Sequence, residues 1–390
     1  SGTFATNQLI INTGGQLIDS TSGPDFKVTT NNSIVELVYI DANKGWQVIL
    51  NQAAGTTPTV TGNELGGGYD SIEFISATGG TVTTSGNFKI HTFTGDGNFI
   101  VANVGNSGVP TLYRAKVDYL VVAGGGGGSE GGAGAGGFRE SDGKSGGCYS
   151  ASPLKAACGA LTIEATTYPI TVGGGGTGGT NSPFTCGAKG SNSVFSTITS
   201  TGGGAGAGGA PGPVTNGGSG GGGRGGYGGS SSPNYGNAGT GNTPPVSPSQ
   251  GNPGGNGSGP AVGGGPGDYQ AGGGGGATSA GVAFNASNPG NGGNGAGTGI
   301  NPSCSVGDSG PDGSLRYFAG GGGASQQSTS PASQPASTGG YGGGGDRPHS
   351  AGSGAGAANT GGGGAGNRYN TPIDGGAGGK GIVIIRYKYQ

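Results

Sequence analysis

Apolar residues in this chain come in strand-sized strings, and nowhere do they recur with the spacing of a helical face. Candidate strands lie at 9–11, 27–29, 34–40 and 46–50. In the third, Ile34, Glu36, Val38 and Ile40 alternate with Val35, Leu37 and Tyr39, the two-residue period of a strand. Asp41, Ala42, Asn43, Lys44 and Gly45 read as a hairpin loop ending in a glycine able to take φ > 0, and Trp46 opens the return strand as its packing anchor. From 53 to 68 the chain turns to Gly, Thr, Pro and Asn, which suits a linker and places a boundary at 66–68. Strands resume at 71–76, 88–93, 98–104 and 117–123, then twice within 161–172, and a last one at 381–389 closes the chain. With no apolar pattern of 3.6-residue period, α-helix is expected to be almost absent.

Composition changes the picture between those strands. Of 390 residues 106 are Gly; 17 of these fall in the first 116 positions, so 106 − 17 = 89 fall in the last 274. That density is collagen-like, but collagen requires a strict Gly-X-Y period. Here glycine is contiguous, at 124–128, 173–176, 220–223, 272–276, 320–323, 342–345 and 361–364. A flexible coil is the plain reading of such runs. The ordered alternative is the polyproline II helix, whose backbone groups point outward and make no internal hydrogen bonds. Several such helices can satisfy one another only if the inward residues lack a Cβ. Ordering a residue costs roughly 1–2 kcal/mol while a hydrogen bond returns a net ~1 kcal/mol, so no run is ordered alone and the lattice should form all-or-none. The fold class expected is therefore all-β/irregular. A small N-terminal β module with its linker occupies 1–68, and a glycine-rich domain occupies 69–390. In the latter, strands at 71–123 and 381–389 frame a polyglycine II lattice at 124–380. Segments rich in Ser, Pro, Asn and Thr between the runs are forced out as loops, where function should sit.

Val117-Asp118-Tyr119-Leu120-Val121-Val122-Ala123 running into 124–128, Gly136-Gly137-Phe138-Arg139-Glu140-Ser141, Tyr168-Pro169-Ile170-Thr171-Val172 running into 173–176, Asn192-Ser193-Val194-Phe195, Tyr317-Phe318-Ala319 running into 320–323, and the terminal Gly381-Ile382-Val383-Ile384-Ile385-Arg386-Tyr387 form an ordered set, with 79–93 as its lead-in. In order and spacing this set resembles the glycine-rich domain of bacteriophage tail-fibre proteins. The run architecture is similar to that of receptor-binding adhesins on the long tail fibres of T-even-type phages. The N-terminal module is similar to small β modules in virion fibres and spikes, notably of cyanophages, and differs from the N-terminal part of the T-even adhesins. The resemblance implies a polyglycine II sandwich whose distal loops touch a bacterial outer-membrane protein or surface glycan. It also implies other virion fibre proteins as partners, a homotrimer or self-assembly, and a virion or extracellular location.

Exposed aromatic and polar loop residues are the expected receptor contacts, because such rings bring large area at low entropic cost. They are Tyr149, Phe184, Tyr227, Tyr235, Tyr269, Phe284, Arg347, His349 and Tyr369. For each the alternative is a side chain folded back over the lattice edge; Phe195 and Phe318, within the shared pattern, read as framework. Cys148 with Cys158 and Cys186 with Cys304 are one disulfide arrangement out of the three that four cysteines allow.

Other chemistry finds little footing. Scattered Lys and Arg and a net charge of −2 argue against nucleic acid. No stretch approaches the ~18 apolar residues of a membrane span. There is no short Cys-x-x-Cys pair, and His91 and His349 stand far apart, so no metal or other cofactor is expected. The 137–145 stretch misses the P-loop spacing by one residue, and Gly-x-Gly-x-x-Gly matches mean nothing in a chain this rich in glycine. Asp308 and Asp312 mimic a carboxylate pair but read as solvated loop acids, so no catalytic residue is assigned and the chain is expected not to be an enzyme. Asn31, Asn256 and Asn285 open glycosylation sequons that matter only in a eukaryotic secretory host. With no Met and a start at Ser1, the sequence reads as a processed chain or a fragment. The rival readings are an inert spacer, head decoration or filament subunit, an ice-binding protein, and a polysaccharide-cleaving spike.

Overall fold

A computed structural model of the chain describes residues 9–11, 26–28, 34–41, 45–51, 72–157, 159–180, 183, 185–208, 215–225, 236–258, 270–284, 290–325, 336–347, 354–367 and 373–390. The fold is all-β and irregular, with no helix among the described residues. The chain divides into two units, Ser1–Ser71 and Ile72–Gln390. In the first, β1 (Leu9–Ile11) pairs with β2 (Phe26–Val28), and β3 (Ile34–Asp41) pairs with β4 (Gly45–Asn51), all antiparallel. Gly45 takes φ 70° at the hairpin, and Trp46 meets its cross-strand partner Tyr39 edge-on with ring centroids 5.4 Å apart.

The second unit begins as a β-sandwich. One sheet runs β10 (Phe138–Glu140), β9 (Lys116–Val122), β18 (Ile382–Lys388), β7 (Phe88–Phe93), β6 (Thr81–Ser85), with β11 (Leu161–Thr162) on the free stretch of β9. The other runs β14 (Ile198–Ser200), β13 (Ser193–Phe195), β12 (Thr167–Thr171), β8 (Gly97–Val104), β5 (Ile75–Thr78). Alternation along β18 decides what faces what. Val383, Ile385 and Tyr387 point between the sheets with Phe99, Val121 and Phe195, while Ile382 and Ile384 point away and pack with Phe138, Ile300 and Phe318. That second face is covered by a small sheet of β15 (Ala296–Thr298), β17 (Arg316–Phe318) and β16 (Asp308–Ser309). The central strands β9 and β18 are thus buried on both faces, which is why 119–123 and 382–385 read as unbroken apolar strings. His91 lies in the sandwich core against Tyr387, its Nδ1 2.7 Å from the Gly79 carbonyl oxygen and its Nε2 3.0 Å from the Tyr387 hydroxyl. Burial holds the imidazole pKa below its ordinary value.

Glycine runs continue these strands. β9 leads into 124–128, β12 into 173–179 and β17 into 319–324, and the run 375–381 leads back into β18. The pairing of Val122 with Phe138 is followed by a bond from Ala123 N–H to the Gly137 carbonyl at 3.1 Å and from Gly126 N–H to Gly134 at 2.9 Å. Beyond that point the geometry is no longer a sheet. Along 124–128 the amides donate in turn to Ser191, Gly379, Gly134, Ala188 and Gly376, and the carbonyls accept in turn from Gly203, Gly176, Gly364, Gly206 and Gly179. Residues three apart address the same neighbours: Gly124 and Gly127 bond to the runs 186–191 and 202–207, Gly125 and Gly128 to 375–381 and 173–179. This is a three-residue helix bonded to six neighbours, the polyglycine II arrangement. The runs 131–136, 219–224, 271–276, 319–324 and 361–366 are surrounded in the same way.

A Cβ on most run glycines would fall on a neighbouring backbone; on Gly274 it would strike the Ala133 carbonyl oxygen. On Gly174, in the outer run 173–179, it would meet nothing within 4 Å. Gly274→Ala should therefore destabilise the second unit by roughly 1–3 kcal/mol or more, whereas Gly174→Ala should leave its thermal midpoint within a degree or two. Equal midpoints for the two variants would contradict the lattice.

Candidate functional site

The block has a near end, where runs join strands, and a far end, where they turn back. Ser129 and Glu130 make the first far-end turn, with Ser129 N–H bonded to the Gly131 carbonyl at 3.1 Å. The Ser129 hydroxyl reaches the Thr185 carbonyl at 3.3 Å, and the Glu130 carbonyl accepts from Ser325 N–H at 2.9 Å. The Glu130 carboxylate turns inward and pairs with Arg224 Nε at 2.6 Å, both side chains nearly buried. Burial pushes the Glu130 carboxyl pKa up, and the guanidinium opposes that shift. Charge desolvation of this kind is tolerated only because the partner is in contact, so the pair pins the turn of one interior run to the end of another.

Of the expected contact residues, the structure places Phe284 and Arg347 at this far end. Phe284 is half-buried, its N–H bonded to Asn256 at 2.9 Å; Arg347 is buried, its N–H bonded to Ser337 at 3.0 Å. Tyr149 lies at the opposite end, half-buried against Arg386, whose guanidinium carbon is 5.5 Å from the ring centroid. Phe184, Tyr227, Tyr235, Tyr269, His349 and Tyr369 lie outside the described residues. Tyr227 and Tyr235 fall in sequence between Gly225 and Gly236, Tyr269 between Ser258 and Gln270, His349 between Arg347 and Gly354, and Tyr369 between Asn367 and Ile373. All of these flanking residues belong to far-end turns of the lattice: Gly236 N–H bonds the Arg224 carbonyl, Ser258 bonds Gln270, Gly354 bonds Asp346, and Asn367 bonds Ser129.

One of the two candidate cysteine pairings, Cys186 with Cys304, needs correction, while the other, Cys148 with Cys158, falls on a residue outside the described ones. Cys148, Cys186 and Cys304 are free, exposed thiols, and Cys158 lies outside the described residues. Cys186 and Cys304 are at opposite ends of the block. The Cys186 thiol donates to the Gly208 carbonyl at 2.9 Å, next to the Ser129 turn, whereas Cys304 belongs to the near-end loop that carries Val306 against Phe318. Their separation along the runs forbids a bond.

A near-end polar cluster escaped the sequence reading. Asp118, on β9, accepts from the Ser141 hydroxyl at 2.5 Å and from the N–H groups of Gly143, at 3.2 Å, and Gly146. Arg386, its cross-strand neighbour on β18, donates to the carbonyls of Gly146 and, at 3.0 Å, Ile300. Glu140, on β10, accepts from the Thr298 hydroxyl and from Ser152 N–H at 2.8 Å. These side chains satisfy loop backbone beneath the sandwich and are buried, which anchors the 141–156 loop. The available signal was an acid embedded in an apolar string, as in Val117-Asp118-Tyr119. Asp308 and Asp312 also act as loop caps: Asp308 accepts from the N–H groups of Gly342 and Gly343 at 3.1 and 3.2 Å, and Asp312 accepts from those of Ser314 and Leu315 at 3.2 and 3.3 Å. Among the described residues no group of His, Cys, Asp and Glu is arranged to hold a metal, and no helix is long and apolar enough to cross a membrane.

Burial raises the Glu140 carboxyl from 4.5 to about 7. A raised carboxyl contributes stability that is complete below the unfolded value and is lost as pH rises through the folded one. Glu140→Gln should gain stability relative to the parent chain between pH 4.5 and about 7, by on the order of 3 kcal/mol. Denaturant melts of both proteins across that window check this, and a pH-independent difference would contradict it.

Comparison with known proteins gives one family: residues 105–388 match a protein-family model described as a glycine-rich domain. No curated protein matches the chain.

Proposed function

The chain belongs to the glycine-rich domain family, and from that premise we propose that it is a bacteriophage tail-fibre adhesin, non-enzymatic, whose far-end segments bind a protein or glycan on a bacterial surface. The observation that carries this reading is where the aromatic-bearing connectors leave the block. Tyr227, Tyr235, Tyr269, His349 and Tyr369 each lie between two run ends that the lattice holds together at the same end. The Gly-rich block fixes those anchor points with backbone bonds, so connectors can vary in sequence without disturbing the lattice. A binding surface assembled from several such connectors has its ends pre-positioned, which lowers the ordering cost of recognition. The sandwich at the other end is the natural side for attachment to a fibre.

Binding to cells separates this reading from an inert spacer or decoration. Labelled protein screened against a panel of bacterial strains should bind a restricted set. Exchanging 226–235 together with 348–353 for Gly-Ser segments of equal length should weaken that binding by at least about 100-fold, the loss expected when a few anchoring side chains are removed, with the melting temperature unchanged. Undiminished binding after the exchange would sink the proposal, as would a panel with no binding strain.

A further inference from the structure

We propose that the four Asn-Gly pairs of this chain are latent sites of spontaneous deamidation, held unreactive by the lattice and released when an outer run lifts. They are Asn216-Gly217, Asn256-Gly257, Asn291-Gly292 and Asn294-Gly295. Each is a two-point clamp on a neighbouring run. The Oδ1 atom of Asn291 accepts from Thr338 N–H at 2.9 Å, while Gly292 N–H donates to the carbonyl of the same Thr338 at 2.9 Å. One helical turn on, Asn294 Oδ1 accepts from Tyr341 N–H at 3.3 Å and Gly295 N–H donates to the Tyr341 carbonyl at 2.7 Å. Asn216 and Gly217 hold Thr240 in the same way, at 2.9 and 3.2 Å. Asn256 accepts from Ala238 N–H at 3.0 Å, and Gly257 donates to the Gly236 carbonyl at 2.9 Å. The clamped runs are thus 336–342 and 236–241.

The steric rule that builds the lattice also creates the reactive dipeptide. A Cβ on Gly217, Gly257, Gly292 or Gly295 would fall on the backbone of a third segment, at Gly204, Arg224, Gly321 and Phe318 respectively. Only glycine fits after the capping Asn, and glycine is also the least hindered nucleophile that an Asn can precede. In the reaction the Gly nitrogen loses its proton and attacks the Asn Cγ. The N–Cγ bond forms, the Cγ–Nδ2 bond breaks, and ammonia leaves with the proton. Water then opens the cyclic imide at either of its carbonyls, giving Asp or isoaspartate. The clamp ties up both partners: the Gly nitrogen keeps its proton in a hydrogen bond, and the Asn carboxamide is held against the next run. Asn216, Asn256 and Asn294 are exposed, so water reaches them and the clamp, not burial, is the protection. Asp at a cap would still accept the amide, whereas isoaspartate adds a backbone carbon and shifts the register of both bonds. Because 336–342 carries two clamps one turn apart, isoaspartate at either frees that run for reaction at the other. The chemistry is independent of what the far end binds.

Peptide mass spectrometry of the full chain, incubated at mildly alkaline pH in its native state and in guanidinium chloride, tests this. Conversion at each of the four Asn should be at least about tenfold slower in the native chain, because two hydrogen bonds must open before each attack. Thr338→Pro removes the N–H that Asn291 accepts, at an exposed position in an outer run of a lattice whose backbone form suits proline. It should speed conversion at Asn291 by about fivefold, the worth of one hydrogen bond. Asn216 and Asn256 serve as internal standards and should be unchanged, as should the melting temperature. Should Thr338→Pro fail to fold, the comparison of native with unfolded chain decides alone. Native rates equal to unfolded ones, or an Asn291 rate indifferent to Thr338→Pro in a folded chain, would overturn the proposal.

Discussion

Everything in the larger unit depends on backbone standing where side chains would normally stand. In a sheet a strand has two hydrogen-bonded neighbours, because side chains occupy the other directions. Where the Cβ is absent, as at 124–128, the same backbone is bonded to six. The driving force differs accordingly. Ordering glycine costs more conformational entropy than ordering any other residue, and a net hydrogen bond barely offsets it. The lattice persists because its amides and carbonyls are shared among different runs, so that loosening one run leaves groups unsatisfied in several others. Among the described residues, the clusters of buried apolar side chains lie at one end, in the sandwich and around Phe138, Ile300 and Phe318 beneath it.

That placement makes the sandwich the register-setter. Strand pairing fixes which residue faces which before the glycines begin, as when Val122 opposite Phe138 hands over to Ala123 and Gly137. Glycine runs alone would slide past one another, since each residue resembles the next. Buried carboxylates serve the same purpose at specific points. Asp118 and Glu140 hold the near-end loop to the strands, and Glu130 with Arg224 locks two interior runs at the far end. Polar groups are costly to bury and demand definite partners, which is what a repetitive lattice needs and cannot supply for itself.

The architecture was largely legible from glycine contiguity and from the apolar strings that border it, but the place of each run was not. The runs at 220–223, 272–276, 320–323 and 361–364 are interior as steric reasoning requires. Yet 173–176, equally contiguous, lies on the outside, and the interior run 131–136 contains Ala133 and Ala135, both fully buried. An isolated methyl is accommodated where its Cβ points between neighbours, a property of rotational phase that composition does not encode. Strands β13 to β17 are two or three residues long, too short to display a period. The candidate contacts were chosen as aromatics outside the runs. That criterion does not distinguish near end from far end, so Tyr149 and Phe284 were grouped although the block separates them.

Asn, Ser and Thr between the glycines carry a second meaning that a loop reading obscures. Asn291 and Asn294 are three residues apart, one turn of the helix they lie on, and each caps an amide of the adjacent run, 336–342. Ser279 does the same for Asn294, and Asn192 for Gly202. Side chains of this length place an acceptor where the missing neighbour's carbonyl would be, while offering little backbone for a further chain to join. The polar composition thus divides by position: within outer runs it terminates the lattice, and between runs it forms the connectors. A lattice built from identical backbone has no intrinsic size, so its extent is written in these caps. In the proposed function recognition falls to the connectors, whose sequences answer neither to the interior's demand for bare backbone nor to the capping demand of the edge.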